Sequence, residues 1–172
     1  MAARKPTRLE TGFLLLFHAM LSGSVIVAYF SGNEDTYTMH LVAGYTALTA
    51  LGLRLGAAMF ARAGSPLRSP RPSLQAVRDW LRRVVAGDSA AMRGRSPLLP
   101  WSAVIMLLVA GLAALSGWLA DGLTAFEGLH KAIGEMIPVF VAAHIATVLG
   151  LQLLRQRGQP QAAPGLQPVE GR

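Results

Sequence analysis

The chain contains no cysteine among its 172 residues. That removes disulfides, thiolate metal centres, cysteine-held iron–sulfur clusters and covalent c-type haem attachment as functions of this polypeptide. Charge is also scarce: 15% of residues are charged against 52% hydrophobic, a balance that argues against a water-soluble single domain. Lys and Arg are missing altogether from two connecting segments, which instead carry Glu34 and Asp35 in one and Asp121 and Glu127 in the other.

Four segments reach the ~20 apolar residues needed to cross a ~30 Å hydrocarbon core. They lie at roughly 12–30, 38–60, 99–120 and 129–154. The first follows "MAARKPTR" but is long and lacks a clean small-residue cleavage site, so it reads as a retained span and not a signal peptide. The expected fold is all-α: an integral membrane four-helix bundle over 12–155, with a cytoplasmic N-terminus at 1–11 and a disordered cytoplasmic tail at 156–172.

The net charge of +7 reflects topology, not nucleic acid. Arg4, Lys5 and Arg8 precede the first span; Arg62, Arg68, Arg71, Arg78, Arg82, Arg83, Arg93 and Arg95 fill the 62–97 segment; Arg155, Arg157 and Arg172 follow the fourth span. By the positive-inside rule both termini and the long middle loop are cytoplasmic, and the two acidic loops face outward. Inside the middle loop, after the Pro- and Ser-rich "RAGSPLRSPRPS", the stretch "SLQAVRDWLRRVVAG" predicts a short amphipathic helix. Ser73 is its N-cap and Leu74, Val77, Leu81 and Val84 form its apolar face, which suits a helix at the membrane surface with Trp80 near the headgroups or one docked on a partner subunit.

All four histidines, His18, His40, His130 and His144, fall within or at the edge of a span, where an ionisable group is costly and points to function. With the topology above, His40 and His130 lie near the outer surface. His18 lies about two turns in from the cytoplasm, and His144 lies about 21 Å beyond His130. Two level pairs result, His18 with His144 and His40 with His130. The fourteen-residue spacing of His130 and His144 also returns to within about 40° around the helix, so both face one interior. Paired neutral imidazoles across an apolar bundle are what two b-type haems require as axial ligands. Gly44 and Gly134, each four residues after a histidine, leave room on the ligand's face for a flat macrocycle or for close helix packing. The competing reading is a haem-free membrane protein whose histidines carry protons.

Several stretches together resemble the bacterial, nickel-hydrogenase-type cytochrome b561 family: "LLLFHAM" with His18; "MHLVAGYTALTALGLRLG" with His40, Gly44 and Arg54; "GRSPLLPW"; "ALSGWL"; and "GLHKAIGEMIPVFVAAHIATVLG" with His130 and His144. Ala19, the Gly94-Arg95-Ser96-Pro97 stretch and Lys131 depart from the family's usual pattern. The resemblance covers roughly residues 8–155 and implies a dihaem cytochrome b in the bacterial inner membrane, with iron-ligating His18, His40, His130 and His144. Such a protein serves a respiratory chain and moves electrons between a periplasmic redox partner and the quinone pool. It does so as the anchor of an oxidoreductase or as a small quinone-linked enzyme; some members oxidise superoxide. Arg54 then meets a haem propionate; read from its position alone, it can equally snorkel to the headgroups. Pro138 is expected to kink the fourth helix.

Overall fold

A computed structural model describes residues 5–68 and 72–159. The expectations for Arg4, Arg71, Arg172 and the tail from 160 onward lie outside the described residues. Among the described residues every regular element is helical, and four helices are long and apolar enough to cross a membrane.

Helix α1 (Arg8–Phe30) starts four residues before its apolar run, and the reason is its cap. Thr7 Oγ1 accepts from the Glu10 amide at 3.2 Å while the Glu10 carboxylate accepts from the Thr7 amide at 2.9 Å. This reciprocal capping box adds a polar turn to the span. Asn33 then caps a short 3₁₀ turn, with its side-chain oxygen 3.0 Å from the Thr36 amide, and leads into α2 (Tyr37–Phe60). The buried positions of α2 are Ala43, Ala47, Ala50 and Arg54, a stripe of small residues ending in a cation. Small residues let neighbouring backbones approach closely, the packing mode expected where lipid offers no hydrophobic drive between helices. The large apolar side chains do the opposite. Leu15, Leu55 and Leu108 are each at least 60% exposed and cover the outside of the bundle.

In the middle segment, α3 (Leu74–Val85) is N-capped by Ser73 through the Ala76 amide at 3.3 Å and ends at Gly87, whose φ of +79° suits a residue without a Cβ. A five-residue helix that the sequence did not announce, α4 (Ser89–Arg93), follows under the Asp88 cap. Trp80 donates its indole N–H to the Ala91 carbonyl at 3.0 Å, so the ring bridges α3 to α4. Arg93 in turn donates to the Gly158 carbonyl at 2.6 Å, tying α4 to the end of the last helix.

Helix α5 (Leu98–Gly122) and helix α6 (Glu127–Arg157) complete the bundle. The α6 helix runs unbroken through Pro138, although proline has no N–H to offer the Gly134 carbonyl one turn earlier. α1 packs along α2 and α5 along α6, and the two hairpins meet chiefly along α2 and α5. α6 makes no comparably close backbone approach to α1 or α2, which leaves a slot across the bundle.

Candidate functional site

The slot is bridged by two histidines. His40, in the first turn of α2, and His130, in the first turn of α6, bring their Nε2 atoms to 3.5 Å, with ring planes inclined at 73°. Each ring's other nitrogen faces a main-chain carbonyl. His40 Nδ1 is 2.8 Å from Ala28 O on α1, and His130 Nδ1 is 3.1 Å from Ala113 O on α5. A carbonyl oxygen can only accept, so each Nδ1 carries the proton, and a neutral imidazole has no second N–H. When both rings are neutral, the two Nε2 atoms therefore present lone pairs to one another. Two metal–imidazole bonds of about 2.0 Å each would put such nitrogens about 4 Å apart. Nδ1–H donated to a backbone carbonyl is the support a metal-bound histidine usually receives.

Two cavities border this histidine pair. One, of about 340 Å³, is walled by His40, Gly44, Gly117, Trp118, Asp121 and His130. The other, of about 90 Å³, is walled by Ala28, His40, Gly44, Ala110, His130 and Gly134. Gly44 lines both, and a Cβ built at Gly44 or Gly134 would meet nothing within 4 Å. Two facing imidazole nitrogens with mostly apolar cavities beside them fit a flat, iron-centred macrocycle. The described residues hold no group of three or more His, Cys, Asp or Glu side chains, and two imidazoles alone fall short of a zinc site.

Gly117, not singled out from the sequence, is packed directly against the His130 ring. A Cβ there would stand 2.9 Å from His130 Cε1 and 3.2 Å from Nδ1, so the missing side chain is what admits the ring. The signal was present, since Ala110, Ala113, Ala114 and Gly117 form a small-residue stripe at helical spacing. Also missed was Tyr45, whose hydroxyl donates to Asp121 Oδ2 at 2.7 Å and links α2 to α5 at the mouth of the larger cavity.

The second pair is arranged differently. Among the described residues no hydrogen bond or ring contact joins His18 to His144. His144 Nδ1 lies 2.9 Å from the Ser102 hydroxyl on α5, and the His18 ring makes no hydrogen bond to another described residue. Among the described residues, two donors near this level have no anionic partner. The indole N–H of Trp101, beside Ser102, is buried without an acceptor. Arg54 is only 8% exposed, so it does not snorkel; its guanidinium donates to the Leu67 carbonyl at 2.6 Å and lies 6.0 Å from the Phe17 ring, next to His18 in the chain. A buried cation and an orphaned N–H fit a group that brings acidic oxygens. Comparisons of the chain with protein-family models, curated proteins and solved structures return no match.

Proposed function

We propose that this chain is a dihaem b-type cytochrome of the cytochrome b561 kind, carrying electrons across the bacterial inner membrane between a periplasmic redox partner and quinone. The observation that carries the reading is the pair of bare Nε2 atoms of His40 and His130, 3.5 Å apart, each with its Nδ1–H committed to a backbone carbonyl. In this reading His40 and His130 ligate one haem and His18 and His144 the other. Gly44, Gly134 and Gly117 make room, Arg54 takes a propionate, and Trp101 is a second donor at its level. Bound haem supplies a one-electron couple; the protein supplies ligation, spacing and field.

The basic termini and middle segment support an orientation with both ends of the chain and α3 in the cytoplasm. There the exposed Leu74, Leu81 and Val85 of α3 enter the lipid surface, flanked by Arg78 and Arg82. His40, His130, Asp121 and Glu127 then face the periplasm. The chain works as the membrane subunit of an oxidoreductase or as a small quinone-linked enzyme, with superoxide oxidation as one such activity.

Lone pairs 3.5 Å apart can also share a single proton, which is the basis of the haem-free, proton-carrying alternative. A reduced-minus-oxidised visible spectrum of the purified membrane protein, with a pyridine haemochrome count, decides between them. Two b-type haems per chain support the proposal, and a sample without a Soret band overturns it in favour of proton transfer.

A further inference from the structure

Helix α3 carries a complete apolar strip with nothing on it. At about 100° per residue, Leu74, Leu81 and Val85 lie within about 40° of one another around the axis. Leu74 is 72% and Val85 86% exposed. Among the described residues α3 packs on α4 and approaches none of the four long helices to a comparable extent. Trp80, about 100° from Leu81, is the side chain that makes the α4 contact, through its bond to the Ala91 carbonyl. The strip itself is left bare.

Charge borders the strip on its other flank. Arg78 and Arg82 stand one turn apart, about 40° and 80° from Leu74. Arg78 meets no carboxylate among the described residues, and Arg82 reaches Asp79 only at 4.0 Å, with both side chains more than half exposed. Arg83, on the far side of the helix, is the cation already taken, by Asp88 at 2.7 Å. Residues 62–97 hold eight arginines, no lysine and two carboxylates, a net charge of +6, so whatever covers the strip has to be anionic. A bilayer is already at hand. Arg93 of α4 is bonded to the Gly158 carbonyl at the end of α6, and α5 opens at Leu98, so two spanning helices hold α3 close to the headgroups. That tether gives the lipid surface an advantage in local concentration over any soluble partner.

We propose that α3 is a docking element for anionic phospholipid, with Leu74, Leu81 and Val85 entering the acyl boundary and Arg78 and Arg82 engaging the charged headgroups. The inference deepens the lipid placement of α3 given under the proposed function by naming the class of lipid it selects.

Because the chain has no cysteine, one introduced thiol takes a spin label uniquely. Full-length Val85→Cys is labelled and reconstituted in phosphatidylcholine vesicles with and without phosphatidylglycerol, and accessibility to oxygen and to a water-soluble nickel chelate is read. Ala76→Cys, nine residues away and half a turn round the helix, is the polar-face control. The Val85 label should move from water into lipid when phosphatidylglycerol is present, and the Ala76 label should stay in water throughout. Arg78→Gln and Arg82→Gln should each lower the docked-to-undocked ratio about fivefold, and lysine at either position should preserve it. Should Val85→Cys fail to assemble, Leu74→Cys on the same strip carries the readout. A Val85 label in water in both vesicles overturns the proposal and leaves the strip to an acidic soluble protein. Equal lipid exposure in both, or indifference to the glutamine variants, overturns the selection for anionic lipid. The label reads without haem, so a haem-free sample sinks the cytochrome reading alone, and an undocked α3 in a haem-loaded sample sinks this one alone.

Discussion

Gly117 and His130 share one volume between α5 and α6: a methyl group on Gly117 would lie 2.9 Å from Cε1 of the imidazole. The ring is fixed by Ala113 O on its far nitrogen, so it cannot yield without losing that bond and its aim at His40. Gly117→Ala should therefore lower haem content by about half, the share of one axial pair out of two. Gly111→Ala, on the same helix with open space around it, should leave haem content unchanged. A haemochrome count on both variants checks the expectation.

Gly44 gives an opposite signature. A Cβ there meets nothing within 4 Å, and replacing a helical glycine by alanine adds up to about 1 kcal/mol of helix stability. Without haem, Gly44→Ala should thus raise the thermal midpoint of the protein. If the two cavities it borders receive a macrocycle, the same variant should weaken haem retention. Parallel melts of haem-loaded and haem-depleted protein separate the two effects, and a gain in both would mean that the space is ordinary packing void.

The four long helices were legible in the sequence because about 20 consecutive apolar residues have few alternatives to a span. Their ends were not, since hydropathy is blind to polar turns: α1 gains its first turn from Thr7 and Glu10, and α6 continues through Arg155 to Arg157. α4 is five residues long, too short for any periodicity, and exists through the Asp88 cap and the Trp80 bond. Counting depth along the helices predicted that His40 and His130 would stand level. It could not reveal that Ala28 O and Ala113 O fix their tautomers, because a backbone carbonyl has no sequence signature. Depth likewise leaves open how His18 faces α6, since α1 and α6 do not pack closely.

Asp88 predicts an acid-sensitive element outside the spans. The Arg83 guanidinium, 2.7 Å away, and then the Ala91 amide hold its carboxyl below the usual carboxylate range. A carboxyl lowered on folding stabilises above its unfolded value of about 3.9 and loses that contribution as pH falls through the folded value. Amide exchange at Ala90 and Ala91 should therefore speed up, beyond the intrinsic pH trend, only below about pH 4. Asp88→Ala should show fast exchange at every pH, whereas Asp88→Asn, still able to cap, should remain protected and lose the pH dependence.

The histidines yield the strongest test of pairing, because ligands of one iron should fail together. His40→Ala and His130→Ala should each remove the same spectral component, and the double variant should remove no more than either alone. His18→Ala and His144→Ala should remove the other. Ser102→Ala should shift that second component without abolishing it, since Ser102 touches only Nδ1 of His144. Should His18→Ala instead remove the component lost with His40→Ala, the two sites would not be stacked by depth, and the level of His144 would need another tenant. The loss of all haem in every single variant would point to assembly of the bundle around both groups at once, which recovery of one component on adding imidazole to the His40→Ala protein would separate from misfolding.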